Sequence, residues 1–406
     1  MSLTSVTIVG GGLSGFTVAQ ELRARGFEGS VSIVDTDGLP YDRPPLSKRY
    51  LLGEASAEDL RFAAPAWFAE HQVDVVTASA ARIQPDAGTV VLSDGRHLSA
   101  DAVVLATGGA ARRLPIPGGD LESVWQLRTR QDADRLRAAL HQREGARLAI
   151  IGAGLIGAEV ASSALALGAQ VSLIDPIETP LAPAVGPDLA RRLHAMHAER
   201  GVTTLTGVPT AITAHAAGHR IDLGEAGSLD ADVVLVGIGI VPRTELAEAA
   251  GLDVDDGVLV NAAQRTSHPR VYAVGDVART RTADGRLLRR AEHWEHAMHA
   301  GTTAAAALLG QEPPRHGASW FWSDRYGVHL EAVGDLSGPG STVLRRDADG
   351  AVAAAFRLAP DGGMAGAAAI DGGLTIRAAR RIIDRGIPVD PDLLADPEVP
   401  VKRLAR

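Results

Sequence analysis

The sequence contains no cysteine. That excludes disulfides, thiolate zinc sites, cysteine-ligated iron–sulfur clusters, cysteine nucleophiles and any redox-active dithiol. It also fits a cytoplasmic protein, the location expected here. Long hydrophobic runs are missing too. The apolar stretches are short and broken by Gly, Asp or Glu, well below the ~20 residues of a membrane span. The N-terminus lacks the basic and apolar regions of a signal peptide. Positive charge is in deficit: Lys and Arg number 40 against 49 Asp and Glu, a net charge of −9. Broad nucleic-acid binding needs a cationic surface and is not expected. Neither membrane nor nucleic acid is anticipated as a partner.

What is present is an ordinary globular composition, 46% hydrophobic and 22% charged over 406 residues, enough for two or three domains and a large core. Glycine stands at 45 residues, and the position of those glycines carries the argument.

The chain opens with the apolar run Val6–Val9, followed by Gly10-Gly11-Gly12-Leu13-Ser14-Gly15, a helical pattern through Leu22, and a second apolar run Val31–Val34 closed by Asp35. This reads as strand, glycine turn, helix, strand. The unit recurs 142 residues later. Arg147–Ile151 is the strand, Gly152-Ala153-Gly154-Leu155-Ile156-Gly157 the turn, Ala158–Leu167 the helix, and Val171–Ile174 the second strand, closed by Asp175. A repeat of this length is a duplicated domain, not a solenoid period.

A lone GxGxxG is weak, but each copy here has its context. Asp35 lies 20 residues beyond Gly15, and Asp175 lies 18 beyond Gly157. The first glycine makes the tight turn, the second lets backbone approach a pyrophosphate, and the third lets helix and strand pack. The helix N-terminus supplies N–H groups and a positive dipole end, and the acid accepts from ribose hydroxyls. A carboxylate there repels a 2′-phosphate, so Asp175 favours NADH over NADPH. Two dinucleotide sites imply two cofactors, for which FAD and NADH are the natural pair.

Between and beyond the repeats, residues 36–60 form a proline-rich loop and 73–105 alternate as several strands. Residues 202–229 read as further short strands, 232–240 as a strong strand ending in a Gly-rich turn before Pro242, and about 291–309 as an Ala- and His-rich helix. Within that helix His293, His296 and His299 recur every three residues. That is not the i, i+4 spacing of a metal site with a third ligand, and no metal is expected. Pro313-Pro314 marks a boundary before a different, mixed domain.

The chain resembles the FAD- and NADH-dependent ferredoxin reductases of cytochrome P450 and aromatic-ring dioxygenase systems over nearly its whole length. The resemblance rests on Pro44-Pro45-Leu46-Ser47-Lys48, Leu105-Ala106-Thr107-Gly108, Leu127-Arg128-Thr129, Val274-Gly275-Asp276 and Trp320-Phe321-Trp322-Ser323-Asp324. It implies an α/β fold, the glutathione-reductase-type flavoprotein with two dinucleotide-binding domains and an α+β C-terminal domain. The implied boundaries are 1–110 for the first part of the FAD domain, 111–241 for the NADH domain, 242–318 for the second part of the FAD domain, and 319–406 for the C-terminal domain. Relatives that reduce disulfides need a dithiol beside the flavin, which this chain cannot supply.

The resemblance also implies site residues. For FAD these are Gly10, Gly12, Ser14 and Gly15 at the pyrophosphate and Asp35 at the ribose. Arg43 and Lys48 come from the proline loop, Ala80 lies near the adenine, and Arg128 contacts the flavin. Asp276 belongs to the ribityl chain or pyrophosphate, Trp294 contacts the flavin through its backbone, and Trp322 lies near the isoalloxazine with Trp320 beside it. For NADH they are Gly152, Gly154, Leu155, Ile156, Gly157, Asp175 and Gly239, with Glu159 facing nicotinamide and flavin. Thr179 stands near where relatives carry an arginine, so one cation contact to the adenosine side is absent. His296 and Arg243 stand where relatives often have Asn.

Lys48, Glu159 and Trp322 are the candidates for the chemistry itself. Lys48 would stabilise negative charge on the reduced flavin, and Glu159 would pair with it. As bare residues, Lys48 also reads as a solvated loop lysine and Glu159 as a first-turn glutamate favoured by the helix dipole. Trp320 and Trp322, two apart on a strand, would share a face, for packing or for ordering the nicotinamide.

The expected partner is an acidic [2Fe–2S] ferredoxin feeding a P450 or ring-hydroxylating oxygenase, docked on basic residues drawn from Arg289, Arg290, Arg315, Arg325, Arg377, Arg380 and Arg381. The chain itself is expected to be a monomer or weak homodimer. Two alternatives stay open: an NADH reductase for rubredoxin or a small oxidant, and a non-enzymatic NADH-responsive flavoprotein. No long insertion with interaction motifs is visible, which ranks the last reading lowest.

Overall fold

The computed structural model describes residues 3–406. The chain divides into two compact units. One comprises the chain up to Arg43, Ser56–Ala110 and Ile240–His316; the other comprises Pro44–Ala55, Ala111–Gly239 and Gly317–Arg406.

The first unit is built on a five-stranded parallel sheet. Its order is Val271–Ala273, Ala102–Leu105, Ser5–Val9, Ser30–Asp35, Val73–Thr77. The strands Ser5–Val9 and Ala102–Leu105 are almost continuously buried, as expected of a parallel sheet covered on both faces. The helices Leu13–Ala24 and Trp294–Leu308 pack together. Their small residues permit close approach: a Cβ on Gly301 would lie 2.7 Å from the Ser14 carbonyl oxygen. A three-stranded antiparallel sheet, Ala80–Gln84, Thr89–Leu92 and His97–Ser99, completes the unit.

The second unit repeats the parallel design: Thr203–Thr206, Gln170–Asp175, Arg147–Ile151, Val233–Val236, Val124–Trp125. Four of its five strands follow the spatial and sequential order of the first sheet. The fifth differs in origin, because Val124–Trp125 precedes the glycine-turn strand in sequence whereas Val271–Ala273 follows its own. The same unit holds a five-stranded antiparallel sheet in the order Trp320–Arg325, Val328–Gly334, Met364–Ile370, Val352–Leu358, Ser341–Arg346. The helix Gly373–Arg385 covers it, burying Ile376, Ala379 and Ile382 against Phe356 and Ala367.

Two sequence expectations need correction. The strand expected over 232–240 is shorter: it stops at Val236, the Gly-rich turn follows at once, and a second strand starts at Ile240. Gly239 adopts φ +98°, a conformation no strand continues, and Gly237 lies against the glycine turn. The His-rich helix begins only at Trp294, with His293 extended before it. The three histidines therefore do not share one helix face.

Candidate active site

The two glycine turns are built alike. In the first unit Gly10 adopts φ +113°, and a Cβ there would lie 2.2 Å from the Ala106 carbonyl oxygen. In the second unit Gly152 adopts φ +105°, with the Gly237 oxygen at 2.4 Å from the same hypothetical atom. At the third glycines a Cβ would meet the carbonyl oxygen of Gly10 or Gly152 at 2.0 and 1.9 Å. The helix thus starts in contact with its strand, and only glycine fits.

The second glycines differ. A Cβ on Gly154 meets nothing within 4 Å, and one on Gly12 meets only the Arg43 guanidinium, at 3.6 Å. Open space or a cation beyond the second glycine, at the N-terminus of a 12-residue helix, is what a pyrophosphate needs. Each strand-end aspartate closes on its own turn. Asp35 accepts from Gly11 N at 2.6 Å and Asp37 N at 2.8 Å; Asp175 accepts from Ala153 N at 2.8 Å and Ile177 N at 2.9 Å.

Around the first cradle the unit gathers other predicted residues. Gly275, in the turn that carries Asp276, sits so close to the helix start that a Cβ would lie 2.6 Å from Ser14 Oγ. Trp294 Nε1 donates to Asp42 Oδ1 at 3.0 Å, which ties the start of the second helix to the residue before Arg43. Ala80 follows the Asp35 strand end, where Ala78 N donates to the Asp35 carbonyl at 3.1 Å. Burial lowers the pKa of His293 and of His296, although the Asp276 charge opposes it in both. The residues present therefore fit a flavin adenine dinucleotide at the first turn and a nicotinamide dinucleotide at the second.

The second unit also contains a buried charge cluster. Glu159 is 3% exposed although it lies in the first turns of the helix Leu155–Ala166. Its Oε2 accepts from Ser47 Oγ at 2.5 Å. Its Oε1 accepts from Ser323 Oγ at 2.8 Å, Lys48 Nζ at 3.3 Å and Asp324 N at 3.3 Å. A buried carboxylate with this many donors is held in one orientation. Ser163 Oγ donates to the Ser47 carbonyl at 2.7 Å, fixing the proline loop on the same helix. Lys48 also pairs with Asp324 Oδ2 at 3.3 Å and stands 5.5 Å from the Trp322 ring centre. Trp320 and Trp322 stack at 5.0 Å between centroids, and Trp320 Nε1 donates to Glu331 Oε1 at 3.1 Å. Arg128 and Gly239 lie in this unit as well; Arg128 N donates to Asp132 Oδ2 at 3.0 Å, at the start of the helix Arg130–His141.

Two of the basic residues expected at a docking surface are interior. Arg325 is 3% exposed, and its Nη2 donates to Ser323 Oγ at 3.1 Å. It supplies charge to the Glu159 cluster and none to a surface. The Arg290 side chain is 7% exposed, donating to the Asp276 carbonyl at 3.0 Å and pairing with Glu292 at 2.9 Å. Arg289, Arg315, Arg377 and Arg381 are exposed. Sequence reasoning missed the roles of Ser47, Ser323, Asp324 and Arg325. Three of them stand inside motifs already singled out, and the first two flank the carboxylate that Lys48 was expected to meet.

Residues 4–301 match the profile of the pyridine nucleotide-disulphide oxidoreductases, and 320–405 match that of the reductase C-terminal domain. The chain belongs to the pyridine nucleotide-disulphide oxidoreductase family. Within this family it is 36% identical to putidaredoxin reductase CamA of Pseudomonas putida, over 98% of this chain and 96% of that protein. It is 38% identical to the ferredoxin–NAD(+) reductase component of the anthranilate 1,2-dioxygenase system of Burkholderia cepacia, over 99% of both. Among solved structures, it matches the reductase in the covalent putidaredoxin reductase–putidaredoxin complex with TM-score 0.91 at 35% identity, covering 100% of this chain and 98% of that one. It matches the ferredoxin reductase for the CYP199A2 system of Rhodopseudomonas palustris with TM-score 0.93 at 30% identity, covering 99% and 100%. The family name refers to disulfide chemistry that a chain without cysteine cannot perform. No helix among the described residues is long and apolar enough to cross a membrane.

Proposed function

We propose that this chain is an NADH:ferredoxin oxidoreductase that carries FAD. It would take hydride from NADH and pass electrons singly to a [2Fe–2S] ferredoxin, which serves a P450 or a ring-hydroxylating oxygenase in the cytoplasm. The observation that carries the reading is the pair of matching dinucleotide cradles, each with its own strand-end aspartate, in a chain with no cysteine. Two such cradles suit a flavin and a nicotinamide, and the missing dithiol leaves an external one-electron carrier as acceptor. The relatives named for ferredoxin–NAD(+) reduction point the same way.

Bound flavin supplies the conversion between a two-electron donor and one-electron acceptors; the chain supplies binding and electrostatics. Gly10, Gly12, Ser14 and Gly15 hold the FAD pyrophosphate, with Arg43 as its cation, Asp35 on the ribose and Asp276 on the ribityl side. Ala80, Arg128 and the Trp294 backbone complete the flavin contacts. Gly152, Gly154, Leu155, Ile156 and Gly157 receive the NADH pyrophosphate, Asp175 the ribose, and Gly239 lies along the nucleotide. Lys48 is the cation assigned to the reactive edge of the flavin, held by Glu159, with Trp322 and Trp320 as its aromatic wall. Reading Asp175 as a ribose acceptor makes NADH the donor, since a 2′-phosphate would face a carboxylate.

An anaerobic absorption spectrum tests this directly. The purified protein should show flavin bands near ~450 nm, bleached by one equivalent of NADH and far less readily by NADPH. A protein that takes up no FAD ends the assignment. A flavoprotein that NADH cannot bleach moves it to a binding role.

A further inference from the structure

The hairpin Trp320–Arg325/Val328–Gly334 turns on two residues, Tyr326 at φ +52° and Gly327 at φ +79°. A two-residue turn with positive φ at both places favours Asn or Asp before its glycine. A bulky tyrosine there is strained, and strain of this kind collects at ligand clamps and active sites. The residue is held by its neighbours. Tyr326 N donates to Ser162 Oγ at 2.7 Å, and the hydroxyl is hydrogen-bonded to His197 Nδ1, also at 2.7 Å. The Arg200 guanidinium stands 5.9 Å from the ring centre. Tyr326 lines a cavity of about 360 Å³ within the second unit, in the range of small-ligand pockets, roughly 300–1,000 Å³. The other walls come from the helix Leu155–Ala166, from Leu52 of the proline-rich loop, and from Arg200 at the end of the helix Pro187–Glu199.

The lining is apolar at Leu52, Leu165 and Ala166 and carries one cation, Arg200, and no carboxylate. Arg200 is exposed and, among the described residues, has no acidic partner. Burial, against the pull of the Arg325 and Arg200 charges, pushes the Tyr326 phenol up to about 12, so it brings no negative charge to the cavity. Ser162 Oγ accepts from Tyr326 N, and among the described residues its own proton has no acceptor. Apolar walls, an aromatic ring and two donors without partners suit a molecule with a planar apolar body and one anionic end. We propose that this cavity binds a small aromatic monocarboxylate, with the carboxylate on Arg200 and the ring lying between Leu52, Leu165 and Tyr326. Occupancy bears on the loop that carries Lys48, because Ser163, also in the wall, donates to the Ser47 carbonyl at 2.7 Å. The site uses neither dinucleotide cradle and stands apart from the function reading.

The test titrates the full-length protein, as purified, with 1-naphthoate. Calorimetry gives the affinity, and 19F spectra of fluorotyrosine-labelled protein give the place, with Tyr326→Phe assigning the Tyr326 resonance. The wild type should bind one naphthoate per chain and shift that resonance. 1-Naphthalenemethanol, the same rings without the charge, should bind about tenfold more weakly. Arg200→Gln should weaken naphthoate by about the same factor and leave the alcohol unchanged. Ala166→Phe, at an exposed helix position, should fill the cavity and abolish binding of both. A Tyr326 resonance that naphthoate does not move overturns the site. Wild-type affinity for naphthoate in Arg200→Gln or in Ala166→Phe also overturns it. Should Ala166→Phe not fold, Arg200→Gln and the Tyr326 resonance decide. A flavin that NADH cannot bleach ends the function reading and leaves this site untouched.

Discussion

Lys48 Nζ lies 3.3 Å from Glu159 Oε1, although 111 residues separate them in sequence. The carboxylate also accepts from Ser47 and Ser323, and Arg325 contributes the second positive charge nearby. Glu159→Gln keeps the shape and removes the anion. It should slow NADH-dependent flavin bleaching by about tenfold or more and lower Tm, because buried Arg325 loses the larger of its nearby carboxylate charges and keeps only Asp324. Stopped-flow absorbance and calorimetry read the two effects. Unchanged bleaching would remove Glu159 from the chemistry.

Asp175 serves two ends at once, the Ala153 backbone and the expected ribose. Asp175→Ala should raise KM for NADH about tenfold, the worth of a lost charge-assisted hydrogen bond, with little change in kcat. With the carboxylate gone, discrimination against NADPH should narrow. Steady-state rates with both nucleotides decide it; an unaltered NADH to NADPH ratio would show that selectivity lies elsewhere.

The second and third glycines of the NADH turn should separate binding from folding. A Cβ on Gly157 would stand 1.9 Å from the Gly152 oxygen, so Gly157→Ala should cost about 2–4 kcal/mol and lower Tm. A Cβ on Gly154 meets nothing, so Gly154→Ala should melt like wild type yet bind NADH more weakly. Thermal melts paired with NADH titration distinguish them. Equal melting of both variants would contradict the packing described here.

His197 is buried at 1% exposure, its Nδ1 2.7 Å from the Tyr326 hydroxyl. Burial, with help from the Arg325 and His194 charges, holds its pKa down to about 3. The unfolded chain binds this proton near pH 6.5 and the folded chain does not. The stabilisation is therefore complete above pH 6.5 and lost as pH falls toward 3. Between pH 6.5 and 5 the loss amounts to about 2 kcal/mol. Tm measured across that interval should fall in the wild type and fall less in His197→Gln, which cannot take up the proton; parallel curves would refute the assignment.

Much of this protein is legible without coordinates. The two glycine turns fix their strands, helices and terminal aspartates because local sterics dictate them: only glycine tolerates φ above +100° at Gly10 and Gly152. The stacking of Trp320 and Trp322 follows from strand alternation. Less was legible where a local signal had two outcomes. The Gly-rich turn closing the run 232–240 is legible, but not that the strand already stops at Val236, with Gly237 against the second glycine turn. An arginine in a polar segment reads as surface, yet Arg325 is interior, since its hairpin packs against the helix Leu155–Ala166.

The sequence by itself determined the duplicated dinucleotide plan, the exclusion of dithiol chemistry and the residue types of the site, because composition and turn sterics are local properties. Only the tertiary structure decided which charges meet. Ser47 and Lys48, Glu159, Ser323 to Arg325, and His329 come from a loop, a helix and a hairpin far apart in the chain. Whether a carboxylate faces water or a half-buried lysine is set by packing between distant segments, and local sequence does not encode it.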